Sequence, residues 1–280
     1  MYISDNLLER IILEDVPYID LTTLLLEIGD KTGRISFFAR EEAVLAGTEE
    51  VVRLFKKLNL KTGCFLPSGS RVTPGEVVLE ADGRAADLHV AWKVSLNILE
   101  YCSGIATRTN KLVQAGRRVN PRISIVTTRK LFPGTKELAI RAVVAGGGFP
   151  HRLGLSETVL IFRQHLNFLG GLEGLLGILD HLRIKACEKK IIVEAEGREE
   201  ATRLCRAGVD GIQFDKVPAR QLRGIVVEMR SINPAVLLLA AGGINQDNVE
   251  EYAATGVDVI VTTSVYFGKP VDIGARITGA

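Results

Sequence analysis

From residue 123 onward, short apolar runs alternate with helical segments, and this alternation constrains the fold more than any other feature. ISIVTT (123–128), TVLIF (158–162), KIIVEA (190–195), GIQFD (211–215), VLLLAA (236–241) and VDVIVTT (257–263) are rich in apolar and β-branched residues. None shows the regular apolar–polar alternation of a half-exposed strand. Helical character separates them at 138–145, 172–188, 198–207, 218–231 and 246–254. Strands buried on both faces between helices predict a parallel sheet. No dinucleotide-type G-x-G-x-x-G follows the first strand, so the pattern favours a (β/α) barrel over a doubly wound sheet. Six clear strands predict that the barrel is incomplete.

The chain changes character near residue 105. Upstream, the pattern predicts a helix over 5–14, a short turn into Leu21-Thr22-Thr23 capped by Asp20, and a helix over 49–58. RISFFAR (34–40) and the turn-rich CFLPSGSRVTPGEVVLEADG (64–83) have β character. Together these predict an α+β module on a small antiparallel sheet. A long helical stretch over 87–117 follows, with a break expected near Ser103-Gly104.

The chain has 280 residues, enough for one large domain or two modest ones. Its 35 Lys and Arg nearly cancel 33 Asp and Glu, for a net charge of +2, so composition makes no case for nucleic acid or a membrane surface. No apolar run approaches the ~18–20 residues that span a bilayer. Cys64, Cys102, Cys187 and Cys205 lack metal-site spacing and read as reduced, mostly buried thiols of a cytoplasmic protein. The acidic, amphipathic start MYISDNLLERIILEDV is unlike a secretory signal.

Positive charge is instead concentrated locally. Residues 125–165 hold Arg129, Lys130, Lys136, Arg141, Arg152 and Arg163, with His151, His165, the triple glycine 146–148 and the Pro133-Gly134 turn. Arg129-Lys130 and Arg163-Gln164-His165 each follow a predicted strand, where a barrel enzyme keeps its chemistry. Arg offers a planar fork to phosphate or carboxylate and Lys a mobile point charge, so a site for small anionic substrates is expected here. Lys136 and Arg141 lie in a helical stretch and read as solvated. Gly146-Gly147-Gly148 reads as the end of that helix. Other strand ends carry Glu194 and Glu196, Asp215-Lys216, Gly242-Gly243-Ile244-Asn245 and Thr262-Thr263-Ser264. Ala241-Gly242-Gly243, leading into a helix, offers free backbone N–H groups for a phosphate.

TTRK-x-x-PG-x-K-x-L (127–138), GGG-x-x-HR-x-GL (146–155) and LI-x-x-x-H (160–165), in this order, resemble the type II phosphoribosyltransferases, above all quinolinate phosphoribosyltransferase. The likeness extends through DLTT (20–23), SLNILEYCSGIATRT (95–109), Glu194, Asp215 and AGGIN (241–245). Within the family it is strongest to the ModD-type pyrophosphorylases, a branch encoded with molybdate-transport genes.

The resemblance implies an α/β chain: an N-terminal open-faced α/β sandwich over 1–105, an incomplete α/β barrel over 106–267, and a tail over 268–280 that returns to the sandwich. It implies a homodimer, or a higher oligomer built from such dimers, with active sites shared between subunits. It further implies transfer of the phosphoribosyl group of 5-phosphoribosyl-1-pyrophosphate (PRPP) to a ring nitrogen, with Mg²⁺ assisting and pyrophosphate leaving. Lys130, Glu194 and Asp215 match the catalytic set, and Glu194 and Asp215 also the Mg²⁺ carboxylates. Arg129, Lys130, His151, Arg152, Phe162, Arg163 and His165 match substrate-binding positions. Ala241, Gly242, Gly243, Thr262 and Thr263 match the phosphate cradle.

Three departures from the family pattern bear on the acceptor. Phe162 stands where quinolinate enzymes carry lysine, Trp92-Lys93 where an arginine reaches in from the neighbouring subunit, and Tyr266 where a histidine is expected. Losing one charge-assisted contact is worth roughly 1.5–3 kcal/mol. An acceptor other than quinolinate is therefore expected, an aromatic or heterocyclic monoanion, with Lys93 supplying a cation in trans. Two alternatives stay open. One is true quinolinate transfer with Arg163 or Lys93 compensating; the other is a non-catalytic molybdate-binding protein.

Overall fold

The computed structural model describes residues 3–279, which form two compact units. The first comprises residues 3–110, 132–147 and 266–279; the second comprises 111–131 and 148–265.

The first unit is built on an antiparallel sheet with strand order Ile273–Gly279, Thr32–Ala39, Val77–Arg84, Lys61–Phe65. Along Thr32–Ala39 every second side chain is buried, so Ile35, Phe37 and Ala39 face the core. Phe37 meets Phe55 of the helix Thr48–Lys57, ring centroids 6.2 Å apart. Asp20 caps the short helix Leu21–Leu25, accepting from the Thr23 N–H at 3.1 Å. Arg141, expected to be solvated, instead pairs with Glu49 at 3.2 Å and with the fully buried Glu50 at 3.0 Å. Burial pushes the Glu50 carboxyl up, and Arg141 opposes the shift.

The expected break at Ser103-Gly104 is absent: one helix runs unbroken from Ala85 to Val119. These small residues serve close approach rather than a bend. A Cβ on Gly104 would lie 3.2 Å from Lys269 O and from Pro270 Cα. The Ser103 hydroxyl accepts from the Ala46 N–H at 3.0 Å. The cysteines also depart from expectation, since only Cys102 and Cys205 are buried. Burial pushes the Cys102 thiol up to about 12. Cys64 is exposed because its strand, Lys61–Phe65, is a sheet edge.

The second unit is a parallel sheet in the order Phe149–Pro150, Ser124–Thr127, Val259–Thr262, Leu237–Ala241, Gly211–Asp215, Ile191–Ala195, Val159–Ile161. All six expected strands are present. The seventh, Phe149–Pro150, is two residues long behind a glycine run and carries no readable periodicity. The edge strands Phe149–Pro150 and Val159–Ile161 are not paired with each other among the described residues, which leaves the barrel open. Leu160, Ile192, Leu239, Ala241 and Val261 form an apolar cluster contributed by four of the strands, and Phe162 packs against it. The helix expected over 246–254 is confined to Val249–Ala253. Asn245 and Asn248 divert the preceding backbone into turns: Asn248 Oδ1 accepts from the Asn245 N–H at 2.9 Å, and Asn245 Oδ1 from the Asp247 N–H at 2.8 Å. Among the described residues, no helix is long and apolar enough to cross a membrane.

Candidate active site

Because the seven strands are parallel, their C-terminal ends share one edge of the sheet, and most of the predicted site residues lie there. Glu194 is the penultimate residue of its strand and sits in register with Gln213. Gln213 Nε2 donates to Glu194 Oε2 at 3.0 Å. Burial raises the Glu194 carboxyl above the usual carboxylate range. Asp215 and Glu196 add to the rise, while the Gln213 hydrogen bond and the Lys130 ammonium oppose it. Asp215 ends the neighbouring strand and is exposed.

Beside Asp215, the strand Leu237–Ala241 runs into Gly242 (φ +89°) and Gly243 (φ +75°). A Cβ on Gly242 would lie 2.6 Å from Asp215 Oδ1 and 2.5 Å from Lys216 Cγ, so conformation and space both require glycine. A Cβ on Gly243 would meet nothing within 4 Å, which leaves open space above this turn. Ala241 is buried, and its carbonyl accepts from the Lys216 N–H at 2.8 Å.

The threonines at the neighbouring strand ends are engaged within the protein. The buried Thr262 hydroxyl donates to Ile244 O at 2.6 Å and accepts from the Ser264 N–H at 3.0 Å. Thr263 Oγ1 lies 2.9 Å from Thr128 Oγ1, and Thr128 Oγ1 accepts from the Lys130 N–H at 3.2 Å. This chain ties the loop carrying the exposed Arg129 and Lys130 to the strand Val259–Thr262.

His151 follows the short strand Phe149–Pro150, its N–H donating to Thr127 O at 2.9 Å. Burial, reinforced by Arg152, holds the imidazole below its ordinary value and favours the neutral ring. Burial and Arg129 likewise depress Arg152, with Glu157 opposing. The Arg152 guanidinium lies over the Phe162 ring, 5.8 Å from its centroid, and Phe162 stacks on His165 at 5.9 Å. The Phe162 N–H donates to His165 Nδ1 at 3.0 Å, so in the neutral ring Nε2 carries the proton. The Phe162 ring thus meets both the Arg152 guanidinium and the His165 imidazole.

Arg163 turns toward acids of its own unit. It pairs with Glu196 and Glu200, each at 2.8 Å, and Glu200 also accepts from the Glu196 N–H at 3.0 Å. Lys93 belongs to the first unit, where its ammonium lies 4.7 Å from the Trp92 ring centroid. Trp92 packs against that unit's core.

Sequence reasoning did not single out Gln213 or Glu157. Gln213 stands two residues before Asp215 on the same strand face, a period-two signal that was available. Glu157 stands out only through its contacts: its carboxylate accepts from the Leu153 N–H at 2.5 Å and faces Arg152. Among the described residues, no cluster of three or more His, Cys, Asp or Glu could hold a metal ion.

Two family models match the chain: the N-terminal domain of quinolinate phosphoribosyl transferase over residues 20–103, and its C-terminal domain over residues 105–276. The chain is 36% identical to "Putative pyrophosphorylase ModD" of Pasteurella multocida, covering 98% of this chain and 97% of that protein. It is 29% identical to the carboxylating nicotinate-nucleotide pyrophosphorylase of Homo sapiens, covering 88% and 82% respectively. The crystal structure of NadC from Streptococcus pyogenes superposes with a TM-score of 0.90 at 26% identity, covering 100% of this chain and 99% of that one.

Proposed function

The chain belongs to the quinolinate phosphoribosyltransferase family, and on that premise we propose that it transfers the phosphoribosyl group of PRPP to a ring nitrogen of a heterocyclic monoanion, releasing pyrophosphate. The observation that carries this reading is the contact between Asp215 and Gly242, which sets a carboxylate against a glycine turn open to solvent. Loss of pyrophosphate builds positive charge on the ribose ring. Asp215 and the neighbouring Glu194 stabilise that charge electrostatically, while the Gly242-Gly243 turn receives the 5-phosphate. Arg129 and Lys130, exposed at the end of Ser124–Thr127, neutralise the departing pyrophosphate.

Mg²⁺ suits this donor set as a substrate-borne ion. It needs one or two protein carboxylates together with substrate phosphates, and Glu194 and Asp215 meet that demand, while no three-residue cluster does among the described residues. When bound, the ion supplies charge neutralisation to the leaving group.

The acceptor half differs from a quinolinate site. Phe162 offers a ring in place of a cation, and Arg163 is occupied by Glu196 and Glu200, so neither supplies a free charge to a second carboxylate. The relationship to the carboxylating nicotinate-nucleotide enzymes supports quinolinate transfer as the second reading, with Lys93 as compensating cation. A cytoplasmic setting and a link to molybdenum metabolism also belong to the proposal, the latter resting on the ModD relatives.

A homodimer completes the reading. Tyr18, Ile19, Leu21, Leu24, Leu25 and Leu26 expose apolar side chains along one short segment, Tyr18 by 92% and Leu25 by 71%, and a second subunit is their proposed cover. The test of function is a screen of PRPP and Mg²⁺ against heterocyclic carboxylates, read by pyrophosphate release. Turnover with a monocarboxylate and little with quinolinate is expected. Turnover with quinolinate at an ordinary enzyme rate establishes the second reading, and no pyrophosphate release with any acceptor refutes transfer.

A further inference from the structure

Lys216 has φ +57°, a left-handed backbone conformation that disfavours a lysine. Its neighbours enforce it. The Lys216 N–H is held by Ala241 O at 2.8 Å, and the Gly242 turn packs directly on its stem, where a Cβ would come within 2.5 Å of Lys216 Cγ. The residue lines a cavity of about 490 Å³ together with Asp215, Glu196, Arg198 and Arg220. Neither Gly242 nor Gly243 lines this cavity, and neither does Glu194, so it stands apart from the phosphate turn while sharing Asp215 with it.

The charges around the cavity do not cancel locally. Glu196 is taken by Arg163, and Arg198 leans on Glu228 at 3.4 Å. Lys216 and Arg220 have no side-chain hydrogen bond or ion pair among the described residues. Lys216 and Arg220 together carry one more charge than the Asp215 carboxylate of the same cavity balances, and the fork of an arginine with a mobile ammonium suits a tetrahedral oxyanion. The volume falls in the range of small-molecule sites and exceeds one oxyanion, leaving room for the organic part of an ester. We propose that this cavity binds the phosphate group of a small phosphorylated compound, held by Lys216 and Arg220. Asp215 lies at its border with the reaction centre.

The test is calorimetric titration of inorganic phosphate, in the presence of saturating PRPP and Mg²⁺ to occupy the Gly242-Gly243 turn, into the wild-type chain, Lys216→Asn and Arg220→Gln. Asn accepts the left-handed conformation, so Lys216→Asn keeps the turn, and its melting temperature should equal or exceed that of the wild type. Arg220→Gln lies in the helix Ala219–Ile232 and provides a second variant free of backbone strain. Phosphate affinity should fall at least tenfold in each. Wild-type phosphate affinity retained by both variants, or no phosphate binding by the wild type, overturns the proposal. Binding of PRPP with Mg²⁺ by Arg220→Gln is measured alongside. Its retention with phosphate binding lost supports the cavity as a separate site; loss of both ligands in equal measure assigns Arg220 to the PRPP site and overturns it.

Discussion

At the scale of single residues, the site is organised by burial as much as by charge. Glu194 keeps a carboxyl in a half-buried place, held by one Gln213 hydrogen bond and facing Lys130. Burial raises its folded-state pKa above the unfolded value. A raised folded pKa means that protonation favours the native state. The contribution is fully present below the unfolded pKa and is lost as pH rises through the folded one. Glu194→Gln removes the ionisable group, so its melting temperature should exceed the wild type's most at neutral pH. The difference should shrink on acidification through the raised pKa; a difference independent of pH contradicts the burial argument. Phe162 makes the second residue-scale case. Phe162→Lys restores a cation where the ring now contacts Arg152 and His165. Quinolinate affinity, measured by equilibrium titration, should rise at least tenfold, since one charged hydrogen bond is worth ~1.5–3 kcal/mol. Unchanged affinity would show that Phe162 does not set acceptor charge.

At the scale of elements, strand ends and turns position the chemistry. Gly242 is wedged between Asp215 and Lys216, and its backbone conformation excludes a side chain on separate grounds. Gly242→Ala should therefore destabilise the chain by about 1–3 kcal/mol from strain alone, seen as a lowered denaturation midpoint. Gly243→Ala has the same conformational penalty and no steric one, so it should cost less. Equal losses would mean that the close packing at Asp215 contributes nothing.

The parallel strands and most flanking helices were legible in the sequence, because a parallel sheet buried on both faces leaves short, uninterrupted apolar runs separated by amphipathic segments. The carboxylates and glycines at those strand ends were legible for the same reason, since the runs fix where each strand stops. What escaped depended on contacts distant in sequence. Ser103-Gly104 resembles a helix break, yet its small size answers to the Lys269–Pro270 backbone and to Ala46. Arg141 reads as a solvated helix residue until Glu49 and Glu50 are folded against it. Arg163 follows a strand end like the other cations, and only the fold reveals Glu196 and Glu200 as its partners. The strained backbone at Lys216 has no local sequence signal at all.

At the scale of the whole molecule, the exposed apolar segment Tyr18–Leu26 is proposed to be covered in a C₂ dimer. Lys93 is exposed, apart from its contact with the Trp92 ring, and is proposed to serve the partner's site. Lys93→Ala and Arg129→Ala should each be inactive alone. Mixed after verified subunit exchange, they should recover about a quarter of wild-type activity, because half the dimers are hybrid and each hybrid has one intact site. No recovery would place Lys93 outside the partner's site. The central claim, that this edge of the sheet binds PRPP with Mg²⁺, is tested most directly by calorimetric titration of that ligand pair into the wild-type chain and the Asp215→Asn variant. Saturable, Mg²⁺-dependent binding to the wild type is expected, with at least a tenfold loss of affinity in Asp215→Asn, about 1.4 kcal/mol. Absence of PRPP binding to the wild type, or identical isotherms for the two proteins, would contradict it.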